Sequence, residues 1–112
     1  MTMDTTQLLK GLLEPAILAV LEQEDAYGYE VVRRLKTKGL DAVGDASVYG
    51  TLRRLFDAGH LTSYVRPSDE GPNRRYYSVN KSGTKQLRAA RKQWSEFSTT
   101  LDRVLNGEGS RS

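Results

Sequence analysis

Leu87, Ala90, Trp94, Phe97, Leu101 and Val104 follow one another at spacings of 3, 4, 3, 4 and 3. On a helix these spacings fall on one stripe, the a/d seam of a coiled coil. They predict a helix from near Ser82 to Leu105. It ends a chain of 112 residues, enough for one compact domain and not for two. A domain this small has a limited core. The seam therefore predicts a partner helix, and with it a homodimer, alongside packing on the chain's own first helix.

The segments before it are short. Leu8, Leu9, Leu12 and Leu13 begin a helical pattern that continues through Ile17, Val20 and Leu21, with Pro15 predicting a kink or a fresh start. QEDAYG breaks the pattern. A second helix is expected from about Tyr27 to Lys38, turning Val31, Val32 and Leu35 inward and ending at Gly39. A third is expected from Ala46 to Ala58, capped by Asp45 and stopped by Gly59, with Val48, Leu52, Leu55 and Phe56 as its buried stripe. LTSYVR and RRYYSVN read as two strands joined by an exposed loop, PSDEGPN. Three helices, a hairpin and a last helix define a mostly α chain with a β-hairpin, an α+β winged helix-turn-helix with a C-terminal dimerisation helix. The expected division is a DNA-binding domain over 1–80, the dimerisation helix over 81–106 and a disordered tail over 107–112.

Several function classes are excluded by what is missing. There is no cysteine, hence no disulfide and no thiolate metal site. The longest apolar run, Ala16 to Leu21, is far too short to cross a bilayer, and the first residues lack the pattern of a secretion signal. Cytoplasmic residence is expected, with no membrane partner. His60 is the one histidine, and no serine or carboxylate cluster surrounds it in sequence. There is no phosphate-binding glycine loop and no metal-ligand spacing. No enzyme activity, cofactor or metal is expected.

Charge is uneven. Residues 1–44 carry five basic and seven acidic side chains, residues 45–91 nine and four, residues 92–112 three and three. A basic middle suits phosphates, although it also suits a plain solvated face. Within it the third helix has the make-up of a recognition helix. Arg53 and Arg54 fall opposite the apolar stripe and can reach phosphates or guanine edges. Gly50, near the centre of that face, lets the backbone approach a groove. Ser47 in the first turn can meet a phosphate, and Tyr49 lies at the shoulder, where it either packs or touches DNA. Alternation along the second strand sets Arg75, Tyr77 and Val79 on one face and Arg74, Tyr76 and Ser78 on the other. Arg74, Arg75 and Tyr77 join the expected DNA-binding set, while Asp69 and Glu70 at the tip oppose deep insertion. Trp94 sits midway along the seam. Near a two-fold axis it meets its counterpart, and two facing indoles can sandwich a planar aromatic effector. Filling the interface core is the simpler role. Leu9 and Leu13 are its expected neighbours.

These residues resemble the PadR family of bacterial transcription regulators. AILAVLEQEDAYGYEVVRRL resembles the family's first two helices, with Gly-Tyr near the start of the second. DASVYGTLRRLFDAGHLTS resembles its recognition helix. EGPNRRYYSVNKSG resembles its wing, usually Gly-Pro-x-Arg-Lys-Tyr-Tyr before a Thr-x-x-Gly helix start. The resemblance spans nearly the whole chain, with Gly50, Ala46 and Asn80 standing where proline, glycine and threonine are common. It implies a homodimeric repressor on an inverted-repeat DNA operator, of the branch with a single C-terminal helix. In drug-sensing members of that branch a tryptophan placed like Trp94 lines a ligand pore. The competing reading is a winged-helix module for RNA or protein interaction. Operator, regulated genes, effector and sign of control are not legible in the residues.

Overall fold

The computed structural model describes Leu9 and residues 11–107. In chain order the elements are α1 (Leu13–Gln23), β1 (Ala26–Tyr27), α2 (Gly28–Thr37), α3 (Asp45–Asp57), β2 (Leu61–Ser68), β3 (Gly71–Val79) and α4 (Lys81–Asn106). The class is the α+β winged helix-turn-helix that the sequence implies. Leu8 and the tail beyond Gly107 lie outside the described residues.

Pro15 marks a fresh start rather than a kink. Gly11 turns the chain with φ of 89°, and α1 begins at Leu13, so Pro15 falls in a first turn whose amides have no partner within the helix. Its buried residues Ile17, Leu18, Val20 and Leu21 meet Val31, Val32 and Leu35 of α2 and Val48, Leu52 and Leu55 of α3 in one core. Both α2 and α3 end on left-handed glycines, with φ of 109° at Gly39 and 85° at Gly59. At the second stop Gly59 N–H donates to Phe56 C=O at 3.0 Å and His60 N–H to Leu55 C=O at 2.9 Å, the paired bonds of a Schellman motif.

Four local expectations are corrected. Tyr27 is not helical: Ala26 and Tyr27 pair antiparallel with Tyr77 and Tyr76, making a three-stranded sheet of order β1-β3-β2. The connection PSDEGPN is mostly strand, leaving only Asp69 and Glu70 between β2 and β3. Pro67 is tolerated because β2 is an edge strand whose register shifts between Arg66 and Ser68. Gly44, not Asp45, is the N-cap of α3, and Asp45 supplies negative charge to the first turn. Phe56 is 41% exposed, since the buried stripe of α3 is Val48, Thr51, Leu52 and Leu55. Thr51 is accommodated because its hydroxyl donates to Ser47 C=O at 2.7 Å.

Asn80 caps α4, accepting from Gly83 N–H at 2.9 Å, and its amide donates to Gly59 C=O at 2.9 Å. His60 Nδ1 lies 2.7 Å from Ser82 Oγ. The start of α4 is thereby fastened to the end of α3, and Gly83 lies where a Cβ would overlap the His60 carbonyl and the Val79 side chain. Gly83→Ala is expected to destabilise the fold by about 1–3 kcal/mol, the cost of overpacking. Urea unfolding checks this, and an unchanged midpoint would show that the junction relaxes freely. Among the described residues no helix is long and apolar enough to cross a membrane.

Candidate nucleic-acid interface

The exposed side of α3 is built by helical geometry. Successive residues turn by about 100°, so Gly50 and Arg53 share the outermost line while Tyr49 and Arg54 fall on opposite shoulders. Beyond its own stretch of helix backbone, no described atom lies within 4 Å of a Cβ placed on Gly50. The Arg53 side chain is 84% exposed, its Nε 4.0 Å from Asp57 Oδ2 one turn on. Ser47 is exposed in the first turn.

Arg54 also makes contacts within its own chain. Its Nε lies 3.5 Å from Glu14 Oε2 of α1, and its Nη2 donates to Thr51 Oγ1 at 3.2 Å. The pair links α3 to α1, while the Arg54 side chain stays 64% exposed. Tyr49, 46% exposed, lies against Gly28 at the start of α2, where any Cβ would overlap its ring. A side chain at position 28 would therefore have to displace the Tyr49 ring, which lines a cleft shared with the wing.

The two faces of the wing are as alternation predicts. On the helix side, Arg75 Nη1 donates to Ser63 Oγ at 2.9 Å, and the Tyr77 ring meets Phe56 of α3 edge-on at 6.5 Å. Tyr77 packs partly against the core, which makes it chiefly a strut between wing and helix. A cleft of about 250 Å³ joins Tyr49 to Arg74, Arg75, Tyr27 and Tyr29. The last two were missed from sequence. A two-residue strand has no alternation to detect, and Tyr29, 52% exposed, reads like any residue of a helix start.

On the outer face Tyr64 and Tyr76 stack at 5.6 Å, Arg66 lies 5.2 Å over Tyr76, and Arg74 lies 4.5 Å over Tyr27. Tyr64 Oη donates to Asp25 Oδ2 at 2.6 Å. That hydrogen bond is the main reason the Tyr64 hydroxyl holds its proton above the usual tyrosine range.

The seam on α4 divides. Leu87 is 1% exposed and belongs to the chain's own core, so it is not available to a partner. Ala90 is half-buried. Trp94, Phe97, Leu101 and Val104 are 50, 57, 37 and 71% exposed, and Trp94 and Phe97 lie 6.4 Å apart. Leu9 and Leu13 are partly buried against the core cluster; the aromatic neighbour of Trp94 is Phe97.

Gly50→Ala is expected to act in opposite directions. The site is open and helical, so alanine should stabilise by about 0.5–1 kcal/mol. The added methyl should weaken duplex binding several-fold by holding the backbone off the groove. Denaturant midpoint and fluorescence anisotropy read the two effects, and unaltered affinity would count against close approach.

A helix with an exposed arginine on its outer side, an arginine-bearing wing beside it and a long terminal helix define a winged helix-turn-helix protein of the DNA-reading type. Residues 17–89 match the model of the transcriptional regulator PadR-like family, and the chain belongs to that family, whose members are transcription regulators and not enzymes. It is similar to a PadR-like transcriptional regulator from Bacillus cereus, with 36% identity and a TM-score of 0.80 over 91% of this chain and 99% of that one. A PadR family regulator from Eggerthella lenta is 29% identical with a TM-score of 0.82, covering 90% of this chain and 88% of that one. Bacillus subtilis PadR in complex with operator DNA is similar in fold, with a TM-score of 0.64 and 23% identity over 70% of this chain and 45% of that one.

Proposed function

We propose that this transcription regulator binds double-stranded DNA sequence-specifically as a cytoplasmic homodimer on an inverted-repeat operator, and that it represses until a planar aromatic effector releases it. The carrying observation is the placement of Tyr49, Gly50 and Arg53 on the exposed side of α3, one cleft away from Arg74 and Arg75 of the wing. Major-groove reading uses a helix of this kind, with the wing on the adjoining backbone. In this reading residues 1–80 form the DNA-binding domain and residues 81–106 the dimerisation helix. Four exposed apolar side chains in one seam support a second copy of α4 as their cover. The decisive test is selection of genomic fragments by the purified protein, followed by binding across a salt series. Enrichment of an inverted repeat with steep salt dependence is expected. Equal retention of RNA, or no preference for the repeat, would favour the RNA or protein module.

The effector role rests on Trp94, half-exposed midway along the seam. In a homodimer two such indoles flank the axis, and a flat cation stacks on them favourably. As this is the only tryptophan, titration with planar cationic dyes should give saturable quenching together with weaker operator binding. If no dye quenches, Trp94 is an interface packing residue.

A further inference from the structure

Lys81, Lys85, Arg88 and Lys92 are spaced 4, 3 and 4 along α4, a single stripe on the helix surface. All four are exposed, and among the described residues none takes part in an ion pair. No aspartate or glutamate occurs from Lys81 to Ser95. The placement opposes local stability. A helix N-terminus favours negative charge, yet the first turn of α4 has no acidic residue and does have Lys81. Like charges one turn apart also repel. A groove of about 780 Å³ runs beside the first half of the stripe, lined by Lys81, Lys85 and Arg88 with the neutral Val79, Asn80 and Thr84.

We propose that this face of α4 is a second DNA-binding surface, which tracks the phosphate backbone outside the ground covered by α3 and the wing. The proposal rests on the duplex-binding reading above. Charge complementarity carries it, with two further observations. At 100° per residue the stripe falls roughly opposite Trp94 and Leu101, so dimerisation through the seam leaves it open. Three of the four cations are lysines, point charges suited to backbone phosphates rather than to the planar, bidentate reading of a base edge. The stripe spans about 16 Å of helix, comparable to the axial rise of about five phosphates on one strand. Its role is affinity without sequence preference.

The test uses a 40-base-pair mixed-sequence duplex, a polyglutamate peptide and anisotropy measured between 50 and 200 mM KCl. The stripe variant is K81Q/K85Q/R88Q/K92Q, glutamine being nearly as good a helix former as lysine. A control, K36Q/K38Q/R103Q, removes cations elsewhere. The stripe variant should keep native helicity and dimerisation. Its log–log salt slope should be shallower by up to about 3–4 units per chain, at about 0.9 for each phosphate that is no longer neutralised, and its affinity at least tenfold lower. The control should change much less. An unchanged slope in the stripe variant, with a reduced one in R53A/R74A/R75A, overturns this proposal and leaves the duplex-binding reading standing. Native protein that binds no duplex overturns both. Tighter binding of polyglutamate than of duplex, abolished in the stripe variant, overturns it in favour of an acidic protein partner.

Discussion

Replacing Arg53, Arg74 and Arg75 together by alanine is expected to lower operator affinity by at least about a hundredfold while leaving the fold intact. All three arginines are exposed: Arg53 lies beside Asp57, Arg75 donates to Ser63, and Arg74 lies over the Tyr27 ring. Each phosphate left without its cation should reduce the salt slope by about one, and each base edge left unread should cost about 1–3 kcal/mol of discrimination. Arg54→Ala should behave differently. It removes the ion pair with Glu14, and because that pair is mostly exposed the change should register as a slight destabilisation with little effect on DNA affinity. Anisotropy titrations over a salt series, with circular dichroism as the fold control, separate the two. A folded triple variant that binds as well as the native protein would remove α3 and the wing from the interface.

Leu101→Glu is expected to turn the proposed dimer into a monomer. Leu101 is 37% exposed in the single chain, and in the proposed assembly it lies in the seam. A carboxylate there would be buried without a partner, at a cost on the order of 3 kcal/mol, which raises the dissociation constant by roughly two orders of magnitude. Because the core of each chain is elsewhere, the fold itself should persist. Sedimentation velocity at micromolar concentration reads the outcome directly. Native protein that already sediments as a monomer would sink the homodimer.

Periodicity made the frame legible. The apolar stripes of α1, α2 and α3 were readable because amphipathic helices announce their buried side, and left-handed glycines at positions 39 and 59 punctuated them. The wing was legible as strands because Tyr64, Val65, Tyr76 and Tyr77 favour extended backbone. What escaped depends on tertiary pairing. β1 exists because Ala26 and Tyr27 find Tyr77 and Tyr76 across space, and two residues carry no period of their own. The pairing of Arg54 depends on Glu14, about forty residues earlier. The seam is continuous in sequence, yet its first residue, Leu87, is consumed by the core of its own chain, because a heptad says which residues share a stripe and not who covers them.

The Asn80–Gly59 and His60–Ser82 contacts fix the start of α4 to the glycine stop that ends α3. The 26-residue helix is therefore a stiff arm about 39 Å long, with a reading head fixed to one end. If two copies of this arm pack through the exposed seam, whose middle lies about 27 Å from the start of the helix, a change of 10° in their crossing would shift the two heads by about 5 Å relative to each other, measured against half-sites about 34 Å apart. Control of such a pair is a matter of leverage: whatever wedges the arms mistunes the gauge between the heads while each head stays as it was.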